Sequence, residues 1–172
     1  MSNTSKILQS LLGYHAWANK ELLDVVGQLD VLKHATERQE ALRLLNHIFI
    51  VGSIFRAHLS SRRHTYTDTN TENTPSLEAL GQSLQELDAW YTAYVAEADA
   101  VMLAEPSIFA FTDGDAGRMS REEMLLHVAT HAGYHRGEIG RILRPLELEL
   151  PWDTYAVFLH RSQPSRREAL DS

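Results

Sequence analysis

Apolar residues along most of this chain recur at alternating steps of three and four. A first stripe of Leu8, Leu11, His15, Ala18, Leu22 and Val25 predicts a helix over about 6–29. A second segment, about 40–59, is apolar on most sides, with Leu44, Leu45, Ile48, Phe49, Ile50, Val51, Ile54 and Phe55, and is expected to be largely buried. A third stripe, Leu77, Leu80, Leu84, Leu87, Tyr91, Tyr94 and Ala98, follows Thr74-Pro75, read as an N-cap with proline at the first helical position. The fourth helix opens on Ser120-Arg121-Glu122-Glu123, a capping box, and should stop near Leu143 ahead of Pro145.

Three connections separate or follow these helices. Residues 60–74 are polar, rich in Ser, Thr, Asn and Arg. Residues 106–118 read equally well as a short hairpin, with Asp113-Gly114-Asp115 at its turn, or as an irregular loop. After Pro151, the residues Trp152, Tyr155, Val157, Phe158 and Leu159 predict a short extra helix packed on the others. The expected fold is therefore all-α: a four-helix bundle with a short C-terminal helix, in one domain over 1–162. Residues 163–172 read as a polar tail.

The fourth helix breaks its own pattern. Its stripe is Met124, Val128, His131, His135, Glu138 and Ile142, so two histidines and a glutamate stand where apolar residues belong. At ~100° per residue the three project within about 60° of one another. Burying them without partners would cost on the order of several kcal/mol. An i, i+4 histidine pair presents two imidazoles to one metal ion, which makes His131 and His135 the first candidates as ligands. His127 lies one turn earlier, but His127 and His135 are ~12 Å apart along the axis, so one of the three histidines should drop out of the first coordination sphere.

His47 interrupts the most apolar run of the chain. Alone it would read as a hydrogen-bonded core residue; facing a histidine pair it becomes the third ligand. His15, on the first stripe, is a candidate fourth ligand, general base or packed core residue, the last two together favoured over ligation. His58 lies ~16 Å beyond His47 on the same face, too far for the same ion, and His34, His64 and His160 read as surface residues. The competing reading of the whole cluster is a buried polar network without metal. Three imidazoles suit Zn, Ni or Fe better than Mg or Ca, and three protein ligands leave a position for water or substrate.

Composition narrows the function classes. Nine histidines are many for 172 residues. A formal charge of −7 and a pI near 5.7, with only Arg62-Arg63-His64 as a basic run, argue against nucleic acid as a partner. With no cysteine there is no disulfide, zinc knuckle or thiol nucleophile, as expected of a cytoplasmic protein. Residues 1–6 lack a signal-peptide pattern, and no stretch reaches the ~18 apolar residues of a membrane span.

At these residues the chain resembles the DinB/YfiT-like family of metal-binding helical bundles, which is unrelated to the DNA polymerase of similar name. Tyr14-His15-Ala16-Trp17-Ala18-Asn19 is similar to the family's Y-x-x-W-A-N. The run from His127 through His131 to His135-Arg136-Gly137 is similar to H-x-x-x-H-x-x-x-H-R-G, and His47 and Pro151-Trp152-Asp153 also match. The resemblance implies His47, His131 and His135 as the metal ligands, with His127 outside. It also implies a zinc- or nickel-dependent enzyme, iron being a further candidate, that acts on a small-molecule substrate with a low-molecular-weight thiol such as bacillithiol or mycothiol. The expected activity is a transferase in detoxification or stress response. A metal-dependent hydrolase and a non-catalytic metal-binding protein are the alternatives, and homodimers are common among relatives. Two positions depart from the usual pattern. Glu138 replaces a common glutamine and is a candidate to orient water, act as general base or accept a proton from a ligand imidazole; a salt bridge to Arg136 or Arg141 is its simpler role. His15 stands where a polar non-histidine is usual.

Overall fold

The computed structural model describes residues 3–167. Four long helices dominate: α1 (Asn3–Val26), α2 (Ala35–Leu59), α3 (Leu77–Glu97) and α5 (Arg121–Leu143). They pack in a ring in which α1 touches α3 and α5, and α2 touches the same two. A short helix α4 (Ala100–Ala104) and an antiparallel pair, β1 (Pro106–Ala110) with β2 (Ala116–Ser120), link α3 to α5. Helix α6 (Tyr155–Ser162) closes the chain against α1. The protein is thus mostly helical with one small sheet; a purely α chain is not what forms. Residues 168–172 of the expected tail lie outside the described residues, and Pro164–Arg166 make a 3₁₀ turn.

Several element ends differ from expectation for local reasons. Helix α2 starts at Ala35, about a turn early, because Thr36, Glu37, Arg38 and Gln39 continue the helix on its exposed side, where no apolar period marks them. The N-cap of α3 is Ser76 and not Thr74: the Ser76 hydroxyl accepts from the Ala79 N–H at 3.2 Å, and Pro75 stays outside the helix. Helix α4 is too short to carry a period, but Asp99 caps it through the Met102 N–H (2.8 Å), and Leu103 anchors it in the core. The capping box of α5 forms as expected, with Ser120 Oγ accepting from Glu123 N–H and Glu123 accepting from Ser120 N–H. The hairpin between 106 and 120 is real; Gly114, at φ +95°, makes the turn its neighbours would resist, and Phe109 packs on Phe55.

The core is two apolar clusters stacked along the helices. One contains Leu12, Phe55, Leu87, Tyr91, Met124 and Leu125. The other contains Leu22, Leu45, Leu80, Leu84, Ile139 and Leu143. The boundary falls between Leu12 and Leu22 on α1, Ile48 and Val51 on α2, Leu84 and Leu87 on α3, and Ala129 and Ala132 on α5. The buried polar residues His15, Asn19 and Asp88 sit at or beside it. These three polar residues thus mark the band between the two apolar clusters.

Helices α2 and α3 approach closely at Gly52, whose carbonyl accepts from Tyr91 Oη at 2.7 Å. A Cβ there would stand 2.8 Å from Leu87 Cδ2, in a side chain that is itself packed in the core. Gly52→Ala is expected to destabilise by about 1 kcal/mol, because overpacking of about 1–3 kcal/mol outweighs a helix-propensity gain of at most ~1 kcal/mol. Urea unfolding followed by circular dichroism measures this; a variant as stable as the parent would mean that Leu87 gives way freely.

Candidate metal centre

His47 projects from α2, and His131 and His135 from α5, so that one ligand atom from each lies within 4.8 Å of the others. His131 Nε2 is 3.1 Å from His47 Nε2 and 3.2 Å from His135 Nε2. The other nitrogens fix the tautomers. His47 Nδ1 is 2.8 Å from the Thr69 carbonyl oxygen, which can only accept, so Nδ1 carries the proton and Nε2 is a bare lone pair. His135 Nδ1 donates to Glu138 Oε2 at 2.6 Å, leaving its Nε2 bare as well. His131 Nε2 holds at most one proton and can satisfy only one of these neighbours. At least one lone pair is left facing another nitrogen lone pair.

An added proton is resisted. Burial and the neighbouring imidazoles push His131 down to about 3, and burial lowers His47. A divalent cation satisfies all three lone pairs at once. Tetrahedral zinc–nitrogen bonds of ~2.0–2.1 Å place the nitrogens roughly 3.3 Å apart, close to the two separations at His131, with the third pair within 4.8 Å. The residues fit such an ion.

The loop before the site is docked, not loose. Asn46 donates to Asn70 and to Thr71 Oγ1 (2.7 Å), and Arg43 Nη1 donates to the Thr71 carbonyl at 2.5 Å. These bonds hold Thr69 over His47. A backbone carbonyl has no signature in a sequence, and only the polarity of 60–74 was visible there.

His127, Glu138 and His15 take different places. His127 packs on Phe55 and beside His131, and is not among the converging atoms. Glu138 supports His135; the alternative bridge to Arg136 does not form, because Arg136 is taken by Asp153 (Nε–Oδ2, 2.8 Å). His15 is buried on α1, away from the three ligands, with Nε2 3.0 Å from Asp88 Oδ1. Of the histidines expected at the surface, His160 is exposed, whereas His34 and His64 are half-buried. His58 lies buried among Phe55, Phe109 and His64, and burial brings it to about 4.

The α5 side chains also correct the expected stripe. Buried positions run Met124, Val128, Ala132, Arg136, Ile139 and Leu143, one place removed from His131, His135 and Glu138, which are only half-buried. One place is about 100° around the helix, and the buried face also takes in Leu125 and Ala129, so its centre lies to one side of the histidines. The ligands therefore sit at the α2–α5 edge of the core rather than on its axis.

A second network, unforeseen in its connections, fixes α5. Arg136 Nη1 donates to Asn19 Oδ1 at 3.0 Å, and Asn19 Nδ2 donates to both Asp88 oxygens at 3.0 and 3.2 Å. Tyr14 donates its hydroxyl to Asp153, and its pKa is raised by burial and by that carboxylate. Tyr14 and Asn19, Arg136, and Asp153 come from three separate motifs and meet here. The DinB family model matches residues 1–168. The chain belongs to the DinB family. Within this family member, Tyr14, Asn19, Arg136 and Asp153 hold α1, α5 and the segment before α6 together. Asp88 is outside those motifs; its place on the buried stripe of α3, between Leu84 and Tyr91, was the signal available. No curated protein and no solved structure matches the chain.

The depressed histidines make stability depend on pH. An unfolded imidazole titrates near ~6.5, whereas His131 in the folded protein takes a proton only near about 3. Between those values the unfolded chain binds protons that the folded chain refuses, so stability is full above about pH 7 and falls as pH drops from ~6.5 towards 3. Metal-free protein should show a lower urea midpoint at pH 5 than at pH 7.5, with a smaller difference in His131→Phe. Equal differences in the two proteins would remove His131 from the effect.

Proposed function

We propose that this protein is a four-helix-bundle metalloenzyme of the transferase class, in which His47, His131 and His135 hold one divalent transition ion for a low-molecular-weight thiol. The observation that supports this most directly is the convergence of three Nε2 atoms, two of them bare because Thr69 and Glu138 take the Nδ1 protons. Neutral imidazoles favour zinc, nickel or iron over magnesium or calcium. Three protein ligands, half-buried at the helix edge, leave a position for an incoming molecule.

A metal ion held there would supply a Lewis-acid centre that lowers the pKa of a thiol placed against it. The thiol must come from outside, since the chain has no cysteine. In the transfer itself, the thiolate sulfur bonds to an electrophilic carbon and the leaving group departs with its bonding pair; the thiol proton passes to solvent. Glu138 keeps His135 in its ligating tautomer and is a positioning residue in this scheme. A cavity of about 760 Å³ between the 60–74 loop and the hairpin, walled by Tyr66, Ile108, Phe109 and Phe111 with Arg62 and Arg63 beside them, offers room for an apolar electrophile or an anionic thiol. The cavity does not reach the three histidines: the rings of Phe55 and His127 stand between Phe109 and His131, so a reactant held there would need them to move.

Purified protein loaded with zinc or nickel should hold about one ion per chain by elemental analysis, and His131→Ala should hold almost none. Full retention in that variant would exclude the site. Loaded protein should also accelerate the consumption of a chromogenic chloroarene by glutathione, bacillithiol or mycothiol, and lose that acceleration in His131→Ala. A stoichiometric ion with no turnover of thiols would leave the metal site standing and overturn the transferase.

A further inference from the structure

Two of the three converging imidazoles have a protein acceptor for the nitrogen that faces away from the centre: the Thr69 carbonyl for His47 and the Glu138 carboxylate for His135. His131 has none of this kind among the described hydrogen bonds. Its ring lines a small enclosed void of about 10 Å³ at the boundary between the two apolar clusters. His15 and Asp88 line it too, and Ile48, Val51, Leu87 and Val128 complete much of the lining.

His15 brings an unmet requirement to the same void. It is 3 % exposed, and its Nδ1 is buried with no partner. The tautomer follows from its neighbours. Arg136 donates to Asn19 Oδ1, which turns the Asn19 amide nitrogen towards Asp88. Asp88 accepts from that nitrogen and lies 3.0 Å from His15 Nε2; Asn19 Nδ2 also comes within 3.2 Å of Nε2, but its protons serve the two Asp88 oxygens and a lone pair on Nε2 would face the carboxylate, so Nε2 carries the His15 proton. Nδ1 is then a lone pair in need of a donor. His131, with Nε2 committed to the centre, carries its proton on Nδ1 and needs an acceptor.

We propose that one ordered water occupies the void, accepting from His131 Nδ1–H and donating to His15 Nδ1, so that the His15–Asp88 pair is the outer support of the third metal ligand. This rests on the metal reading given above. The void is just large enough for one water, which needs about 10–15 Å³ and at least two polar partners. Residues lining it supply both. His15 is thereby a positioning residue for His131, fixed from behind by Asp88, Asn19 and Arg136; it touches neither the ion nor the substrate. Each ligand then has its own tautomer lock: a backbone carbonyl, a carboxylate and a water-linked histidine–aspartate pair.

The test combines imidazole ¹⁵N shifts of the zinc-loaded and metal-free protein with zinc affinity measured by chelator competition. His15 should be the Nε2–H tautomer in both forms, and a nuclear Overhauser contact should join the His15 ring to a long-lived water. His15→Phe, which removes the acceptor, should weaken zinc binding about 10- to 100-fold, and His15→Gln, which keeps an acceptor oxygen, should recover part of that loss. A His15 Nδ1–H tautomer, no bound water, or a His15→Phe affinity within about twofold of the parent overturns the proposal. If the parent itself fails to bind zinc, the metal reading falls and the water contact alone decides whether the void is occupied. Should His15→Phe not fold, the tautomer and the water contact in the parent decide.

Discussion

Two imidazoles whose outer nitrogens are tied to acceptors must turn lone pairs inwards, and His131 meets both of them at hydrogen-bond distance. No distribution of protons over three neutral rings satisfies that arrangement. Adding a proton is opposed by burial, most of all at His131. The surrounding architecture exists to keep this contradiction in place: α2 is held to its loop by Asn46 and Arg43, and α5 is held to α1 by Arg136 and Asn19. Such a centre is prepared for a cation in a way that three exposed histidines would not be.

Arg136 has a structural logic of its own. Its guanidinium follows His135 in sequence but points to the opposite flank of the helix, into the buried band. Five donors in a planar fork let it bind Asp153 and Asn19 together. Rotation of α5 about its axis would break those bonds before it displaced the ligands. The Arg that follows the last ligand in the motif is therefore a register pin, and Tyr14, stacked under it at 5.6 Å, shields it from water.

Much of this was legible in the spacing of residues. The four long helices, the capping box at Ser120, the stop at Leu143 and the i, i+4 pair follow from periodicity and local chemistry, which act over a few residues. His47 was legible only beside the histidine pair of the fourth helix, since alone it reads as a hydrogen-bonded core residue. What escaped depends on distant backbone or on sides that periodicity does not mark. The Thr69 carbonyl has no side-chain signature, and Ser76 competes with Thr74 for a cap that only the chain path decides. Helix α4 is shorter than two turns. The ligand stripe was placed on the core axis because it was anchored on Met124 and Val128, which lie at one margin of a buried face that also takes in Leu125, Ala129 and Ala132. The offset of about 100° moves the histidines to the edge.

In the proposed reading, that displacement is what would let a second reactant reach the centre. Histidines on the axis, walled by both apolar clusters, would be desolvated enough to bind metal but closed to any second reactant. Histidines on the outer face would be open, but their second nitrogens would hydrogen-bond to water and their tautomers would fluctuate. At the α2–α5 edge the inner wall is protein and the outer wall is a docked loop, so the rings are half-buried while one direction is left for a ligand. The same edge explains the difference among the three supports. His47 and His135 face outwards and can use a loop carbonyl and a surface carboxylate, whereas His131 backs onto the core. Its ring shares a small void with His15 and Asp88. In the proposal above the support for its second nitrogen comes from that void, at the boundary between the two apolar clusters.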